Sequence, residues 1–332
     1  MTKNVRVIQF GLGSIGAATA RLVHRRSGLE LLGAIDIDPV KVGEDVGSII
    51  GLDAPLGFSV ANSIDDIAGQ IEADIVIHTT SSFFPEFKPQ ILEILDAGYD
   101  VVSTSEELSF PWLTHHEEGS EIDNAAKKAG KTVLGTGVNP GFLMDSLPVC
   151  LTGICEQVEH IDVQRVIDAS ARRKPFQVKI GSGLSAEEFE ERMKTGRMGH
   201  SGLRESADMI FHSLGRKMAS YESSVEPIIA DETTETEHLS VQPGLVIGLR
   251  QVATAKTETH EFLKLTFIAA LDAEDEKDTI TIVGTPSLEI TLKGTNGDLA
   301  TAAIAVNAIP RVVEADPGLV TMNDLPIVTC RQ

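Results

Sequence analysis

The stretch VRVIQFGLGSIGAATARL, residues 5–22, decides the fold of this chain. Four of its first six residues are apolar, which predicts a strand, and its alanine-rich second half predicts a helix with one apolar face. Between them GLGSIG, residues 11–16, fits the pattern Gly-x-Gly-x-x-Gly. In this strand–turn–helix setting the motif predicts a turn that binds the pyrophosphate of a dinucleotide. The predicted cofactor contacts in the turn are Gly11, Leu12, Gly13, Ser14, Ile15 and Gly16.

Asp36 follows the second predicted strand, Leu31–Ile35, and lies 20 residues beyond Gly16. A carboxylate at this spacing binds the ribose 2′-hydroxyl of NAD and repels the 2′-phosphate of NADP. The sequence therefore predicts NAD as the cofactor, with NADP possible because one carboxylate sets a preference and not an exclusion. A glycine turn without a ligand is the alternative, which the agreement of strand, spacing and acidic residue disfavours.

The rest of the chain divides into two regions with different patterns. Through residue 140, short Val/Ile runs alternate with helical patterns, which predicts an α/β Rossmann dinucleotide-binding domain with a parallel sheet. Residues 141–297 predict an α+β substrate and dimerisation domain with an open mixed sheet, and a C-terminal helix around 298–332 rejoins the first domain. Two local predictions are a helix over Pro89–Ala97 and a strand over Gln177–Ile180.

Composition disfavours several classes of function. The 332 residues carry a formal net charge of −21, so we expect neither nucleic acid nor an anionic membrane surface as a partner. No run approaches the roughly 20 apolar residues of a membrane span, and the N-terminus has no apolar signal core. The three cysteines form no CxxC pair, which favours reduced thiols in the cytoplasm and no metal site.

Polar residues follow several predicted strands at the edge where a doubly wound sheet binds its ligands. A carboxylate at such an edge faces the ligand crevice. The expected cofactor contacts at this edge are Thr79, Thr80, Ser81, Ser105 and Asn139. Two acidic residues of the stretch VVSTSEELSF (101–110), Glu106 and Glu107, share this rim.

Five stretches carry a resemblance to a known family. They are VVSTSEELSFP (101–111), VLGTGVNPGFLMD (133–145), LTGICEQVEHI (151–161), GH with ES nearby (199–206) and VNAIPRVVEADPGLVTMNDLP (306–326). In these blocks the chain resembles the 2,4-diaminopentanoate dehydrogenases and the related NAD(P)-dependent amine dehydrogenases, which have a dihydrodipicolinate-reductase-like architecture. The resemblance implies an enzyme that interconverts an amine with a ketone and ammonia through a nicotinamide hydride. It also implies a homodimer and no metal.

The resemblance also assigns roles to single residues. The family's catalytic glutamate lies just after this strand, which places the role on Glu106 with Glu107 as second candidate, and the sequence does not decide between them. Such a carboxylate can take a proton from ammonium and return it when water leaves the carbinolamine. Asn139 corresponds to a position beside nicotinamide and substrate, with an Asx-turn before Pro140 as the structural alternative. Further positions carried over are Phe142, Met144 and His200 at the substrate and Asn307 on the nicotinamide side. The alternatives are ordinary core positions for Phe142 and Met144 and a structural role for His200.

Two departures from the family pattern bear on the substrate. Ile167 replaces an asparagine that follows the equivalent of Arg165, and the end of the run Glu261–Ala270 lacks a histidine. These positions are expected to hold a substrate carboxylate, which is costly to bury with Arg165 alone. We therefore expect a pocket with Arg165 and Ile167 for a small neutral ketone or aldehyde. The alternative is that Arg165 pairs with Asp162 or Asp168.

Three other functions stay open at this point. They are the same reaction on 2,4-diaminopentanoate, reduction of a cyclic imine as in dihydrodipicolinate reductase, and an NAD(P)-binding sensor without turnover. The adjacent pair His115-His116 is not a candidate site, because neighbours in a helix do not share a face. We expect both histidines to face solvent.

Overall fold

A computed structural model of the chain describes residues 4–196 and 198–330. These residues form two compact units: one comprises the chain up to Phe142 and again from Asn296, and the other spans Leu143–Thr295. The first unit contains a six-stranded parallel sheet and the second a six-stranded mixed sheet. The predicted fold class, a Rossmann domain and an α+β domain with an open mixed sheet, is confirmed.

The first unit alternates strands and helices, as its apolar runs predict. The helix predicted over Pro89–Ala97 begins earlier, at Phe84, because Pro85 occupies its first turn, where proline loses no helical hydrogen bond. The elements up to the end of this part are β1 (Val5–Phe10), α1 (Ser14–Arg25), β2 (Leu29–Ile35), α2 (Val46–Ile49), β3 (Ile75–His78), α3 (Phe84–Asp96), β4 (Asp100–Ser103), α4 (His116–Ala129) and β5 (Thr132–Gly135).

The second unit contains α5 (Ser146–Thr152), β6 (Gln157–Asp168), α6 (Lys174–Lys179), α7 (Ala186–Met193), α8 (Leu203–Ser213), β7 (Ser220–Ile229), β8 (Thr234–Glu235), β9 (Ser240–Val241), β10 (Val246–Lys256), β11 (Glu261–Ala270), β12 (Lys277–Thr285) and β13 (Leu288–Leu292). Its main sheet has the order β13-β12-β6-β11-β10-β7. The strand predicted over Gln177–Ile180 is wrong. Pro175 starts a helix there, and the buried Gln177 amide donates to the carbonyls of Ala169 and Ser170.

The chain returns to the first unit as α9 (Gly297–Val313) and β14 (Gly318–Val320). The first sheet has the order β14-β5-β4-β3-β1-β2, with every neighbouring pair parallel. Helices α1 and α9 cover one face and α3 and α4 the other, each over a buried apolar core. The strand order reverses between β1 and β3, so the ligand crevice of such a sheet lies at the C-terminal ends of these strands.

Candidate cofactor and active site

The turn between β1 and α1 presents bare backbone to the crevice. Gly11 has φ +89°, and a Cβ on Gly16 would lie 1.9 Å from the Gly11 carbonyl oxygen, so both positions require glycine. A Cβ on Gly13 would meet no atom within 4 Å, which leaves open space beside the turn. Helix α1 begins at Ser14 with no side chain capping its N-terminus. Its first amides are therefore available to an anion.

A buried glutamine, Gln9, holds the turn from below. Its amide nitrogen donates to the carbonyl oxygen of Gly11 and to Thr79 Oγ1, both at 2.9 Å, and its oxygen accepts from Thr19 Oγ1 at 2.6 Å. Thr79 Oγ1 also donates to the Gly11 carbonyl at 3.0 Å. Thr79 therefore supports the turn from within the protein. The sequence signal that finds Gln9 is an uncharged polar residue between the apolar Ile8 and Phe10 of a predicted buried strand.

Asp36 closes the same crevice at the end of β2. Its Oδ2 accepts from the Leu12 backbone N–H at 2.7 Å and from Lys41 Nζ at 3.0 Å, and its Oδ1 accepts from the Asp38 N–H at 2.9 Å. Burial alone would raise the pKa of Asp36, but the bonds from Asp38, Lys41 and Leu12 outweigh it and lower the pKa. Asp36 is therefore ionised at neutral pH and fixed in position.

A hydrogen-bonded network joins the ends of β3 and β4. His78 is completely buried, with Nδ1 2.9 Å from Ser103 Oγ and Nε2 2.7 Å from Gln90 Oε1 and 2.9 Å from Thr80 Oγ1. Ser103 Oγ in turn lies 3.0 Å from Ser105 Oγ and accepts from the Ser105 N–H at 3.1 Å. Burial lowers the pKa of His78 to about 4, so the ring is neutral at pH 7. The network fixes the residue that precedes the two glutamates.

The structure separates the two glutamates of the rim. Glu107 Oε2 accepts from the backbone N–H of Phe84 at 2.6 Å, which caps the start of α3. The same oxygen lies 3.5 Å from His115 Nε2, and the His115 ring packs on Phe84 at 4.6 Å between centroids. His115 is therefore partly buried, contrary to the expectation that it faces solvent. Glu106, also half-buried, has no side-chain partner among the residues that the structure describes.

Asn139 and Asn307, both predicted to contact the cofactor, lie in different places. Asn139 is buried on the loop after β5, and the N–H of Val138 in this loop lies 3.4 Å from Thr301 Oγ1 of α9. The assignment of Asn307 is corrected: its Oδ1 accepts from Arg26 Nη1 at 2.9 Å, beside the start of β2. Asn307 lies six residues, about 9 Å, farther along α9 than Thr301, which contacts the loop at the C-terminal edge of the sheet. Asn307 therefore lies at the N-terminal edge of the sheet, beside the start of β2.

The residues that the structure brings to the C-terminal edge of the first sheet are Gly11, Leu12, Gly13, Ser14, Ile15, Gly16, Asp36, Thr79, Thr80, Ser81, Ser105, Glu106, Glu107 and Asn139. Several of them have internal partners: Ser81 Oγ bonds to Glu86, Thr80 to His78, and Ser105 to Ser103. Phe142 follows at the end of this unit and is partly exposed.

Arg165 of the second unit is paired inside the protein. It lies on β6 opposite Asp278 of β12, with Nη1 3.1 Å from Oδ1, and the two residues are 2% and 4% exposed. Burial lowers the pKa of Arg165 and raises that of Asp278, while the attraction between them opposes both shifts. The expected alternatives, Asp162 and Asp168, are not its partner; Asp162 lies 3.6 Å from Lys264.

His200 presents a neutral imidazole next to this pair. Its ring stacks on Phe267 at 4.5 Å between centroids, and Gln251 bonds both its backbone N–H (2.7 Å) and its carbonyl (3.3 Å). Burial lowers the pKa of His200 to about 3, and the charges of Lys179 and Arg165 act in the same direction. Within the described part of the chain, its buried Nε2 has no hydrogen-bond partner.

The other two candidates of the second unit, Ile167 and Met144, are buried. Met144 has no accessible surface, which favours a core position over a substrate contact. Across residues 4–196 and 198–330, no group of three or more His, Cys, Asp and Glu side chains is placed to hold a metal ion. None of the helices in these ranges is long and apolar enough to span a membrane.

Known proteins are similar to this chain over nearly all of its length. The family model described as the 2,4-diaminopentanoate dehydrogenase C-terminal domain matches residues 142–332. A 2,4-diaminopentanoate dehydrogenase of Acetoanaerobium sticklandii is 30% identical over 98% of this chain and 94% of its own length. An amine dehydrogenase of Streptomyces virginiae is 24% identical over 97% of this chain and 96% of its own. The solved structure of an amine dehydrogenase from Mycobacterium smegmatis is similar with a TM-score of 0.89 and 25% identity, over 99% of this chain and 98% of that one. The chain therefore belongs to the 2,4-diaminopentanoate dehydrogenase family.

Proposed function

We propose that this chain is an NAD-dependent amine dehydrogenase that joins ammonia to a small neutral ketone or aldehyde, and deaminates the amine in reverse. Membership of its family makes it an oxidoreductase that acts on amines. The observation that carries the proposed mechanism is Glu106. It is a half-buried carboxylate at the sheet edge where the glycine turn and Asp36 also lie, and the described residues leave it without a partner.

The residues of this edge fit a nicotinamide dinucleotide. The open space at Gly13 and the uncapped amides of α1 suit a pyrophosphate, and Asp36 suits the adenosine ribose. When bound, NAD accepts or supplies the hydride. The chain's own task is to hold the dinucleotide at this edge and to move protons.

Glu106 does the proton work. In the direction of amination its carboxylate takes a proton from ammonium, which frees the nitrogen lone pair to attack the carbonyl carbon. The same proton then goes to the carbinolamine hydroxyl, so that the C–O bond breaks and water leaves. The ionised carboxylate that remains stabilises the iminium cation. Glu107 takes no part, because its oxygen is committed to the cap of α3.

The second unit favours a substrate without a carboxylate. The guanidinium of Arg165 is already neutralised by Asp278 at 3.1 Å, and Ile167 beside it is apolar. A substrate carboxylate buried here would compete with Asp278 for a single cation and add a second unscreened negative charge. The buried Nε2 of His200 offers one neutral hydrogen-bonding group to a carbonyl or amine.

The experiment is ammonia-dependent NADH oxidation with a panel of aliphatic ketones and aldehydes, each paired with a keto acid of the same length. Turnover of the neutral members alone is the expected result. The second candidate is 2,4-diaminopentanoate as substrate, which the relative of that name favours; preferential NAD reduction with this diamino acid would establish it. Reduction of a cyclic imine without ammonia would point to an imine reductase, and NADH binding without any turnover to a sensor.

We also propose a homodimer formed through the sheet of the second unit. Val166, Ile228, Ile247 and Ile268 are half-exposed apolar residues that line a hollow of about 420 Å³ on one face of this sheet. Sedimentation should give a dimer for the wild type and a monomer for Ile268→Glu. A monomeric wild type would end this part of the proposal.

The two units take different tasks in this account. The first binds the dinucleotide, and the second binds the substrate and makes the dimer contact. We assign the protein to the cytoplasm, where free Cys150, Cys155 and Cys330 stay reduced. Fractionation of cells with an antibody against the protein tests this assignment.

A further inference from the structure

A transverse row of residues on the buried face of the second sheet contains three polar side chains. Gln251 of β10 pairs with Phe267 of β11, and Arg165 of β6 lies between Phe267 and Asp278 of β12. Residues paired across strands share a face of the sheet, and all four are buried. The two neighbouring rows on this face are apolar and consist of Leu249, Ala269 and Ile167 and of Ala253, Leu265, Val163 and Ile280. Buried polar groups in such a setting are costly unless they form bonds, so packing alone does not explain this row.

The side-chain amide of Gln251 holds the main chain of His200 at both of its polar groups. The amide oxygen accepts from the His200 N–H at 2.7 Å, and the amide nitrogen donates to the His200 carbonyl at 3.3 Å. This is the pair of bonds that a residue of an adjacent antiparallel strand would make. The approach is close, because Gly199 has φ +95° and a Cβ there would lie 2.8 Å from Gln251 Oε1, so this position requires glycine. Gln251 therefore fixes where His200 lies above the sheet.

The anchored main chain determines where the imidazole of His200 lies. The ring stacks on Phe267, the strand neighbour of Gln251, with 4.5 Å between centroids and 17° between planes. Its Nε2 is buried, and no protein group that the structure describes bonds to it. A buried polar atom without a protein partner is costly, and a ligand that bonds to it removes that cost. The ring is also uncharged, because burial and the positive charges of Lys179 and Arg165 lower its pKa to about 3, so it does not repel an iminium cation.

We propose that Gln251 is a positioning residue, which sets the affinity for the substrate by holding His200 against Phe267. His200 Nε2 then bonds to the oxygen or nitrogen on the reacting carbon of the substrate, in the tautomer that each requires. The inference rests on the proposed amine dehydrogenase function and adds Gln251 to it. Nε2 makes this bond both before and during the reaction, while Glu106 moves the proton. Loss of Gln251 should therefore raise KM and leave kcat nearly unchanged.

Kinetics of ammonia-dependent NADH oxidation test this role. Gln251→Met keeps the length of the side chain and loses both bonds to His200, so KM for the neutral ketone or aldehyde should rise about tenfold or more. The value of kcat should stay within about threefold of the wild type, and the dissociation constant of NADH within about twofold. His200→Phe keeps a ring on Phe267 but lacks Nε2, and it should raise KM as well. The double variant should be no worse than His200→Phe, because Gln251 acts through His200. Gln157→Leu, a control at the exposed start of β6, should match the wild type.

Nuclear magnetic resonance of protein with labelled histidine gives a readout that needs no turnover. The signal of His200 is the one missing from His200→Phe. In the wild type this ring should stay neutral down to a pH near its pKa of about 3, whereas in Gln251→Met the released ring should titrate closer to the ordinary value of 6.5. Circular dichroism shows whether Gln251→Met is folded, and Gln251→Leu replaces it if it is not.

The inference fails if the folded variant leaves either the KM or the titration of His200 unchanged. It also fails if the increases in KM of the two single variants multiply in the double variant, because Gln251 would then act independently of His200. A wild type that turns over no neutral ketone or aldehyde with ammonia would overturn the proposed function instead. The titration of His200 would still decide whether Gln251 positions the ring.

Discussion

Asp278→Asn perturbs a buried pair of opposite charges in the second unit. The change leaves the Arg165 guanidinium, 2% exposed, without the carboxylate that lies 3.1 Å away. At an effective dielectric constant of about 20, two unit charges at this separation attract by about 5 kcal/mol. The neutral amide and local relaxation recover part of this. We therefore expect Asp278→Asn to lower the free energy of unfolding by about 3–5 kcal/mol.

Urea denaturation followed by circular dichroism at pH 7 measures this cost. Because burial opposes ionisation of both partners, replacing the two together with apolar residues should cost far less than losing one. The double variant Arg165→Met, Asp278→Leu should therefore stay within about 1 kcal/mol of the wild type. Two results would refute the reasoning. One is a decrease in the free energy of unfolding of less than about 1 kcal/mol for Asp278→Asn. The other is a double variant whose decrease equals the sum of the decreases of the two single variants.

Three further predictions concern the first unit. Glu107→Ala removes the acceptor of the Phe84 N–H and should lower the free energy of unfolding by about 1 kcal/mol. The melting temperature should therefore fall for Glu107→Ala and not for Glu106→Ala. Equal melting temperatures of the two variants would contradict the cap. Gly13→Ala adds a methyl group that touches nothing in the protein, so the melting temperature should be unchanged. Calorimetry should show that NADH binds about tenfold more weakly or worse, because the methyl group occupies the space for the pyrophosphate. Unaltered NADH binding would show that the pyrophosphate does not bind at Gly13. Burial lowers the pKa of His78 in the folded protein to about 4, below the value of 6.5 in the unfolded chain. The unfolded chain therefore binds a proton first as the pH falls. The free energy of unfolding should decrease between pH 6.5 and pH 4, by at most about 1.4 kcal/mol per pH unit. His78→Gln should flatten that part of the urea-derived stability profile, and an unchanged slope would rule out the buried neutral ring.

The fold could be predicted because its signals are local. The glycine turn couples one strand to one helix within 18 residues, and Asp36 ends the next strand. The alternation of apolar runs then dictates a parallel sheet, whose C-terminal edge collects the residues after each strand. This is why Ser105, Glu106 and Asn139 could be placed at one rim from the sequence.

The remaining features depend on contacts between distant segments. Arg165 meets Asp278 through the register of β6 and β12, which no local pattern contains. The proposal of Glu106 over Glu107 as the catalytic residue rests on one backbone amide, that of Phe84, which donates to Glu107. Asn307 was expected at the C-terminal edge of the sheet but lies at the N-terminal edge. The family resemblance matches its neighbours in sequence, but it does not give the position of Asn307 along α9.

The most direct test of the account is the catalytic rate of Glu106→Gln beside its neighbour Glu107→Gln. Both variants remove one carboxylate from the same short turn, so a general loss of charge would affect them alike. Ammonia-dependent NADH oxidation at saturating ketone gives kcat, and calorimetry gives the dissociation constant of NADH. We predict that Glu106→Gln lowers kcat by about 10²–10⁴-fold with NADH binding within about twofold of the wild type, while Glu107→Gln keeps most of its activity at 25 °C. Near-normal turnover in Glu106→Gln, or its loss in a folded Glu107→Gln, would contradict the account.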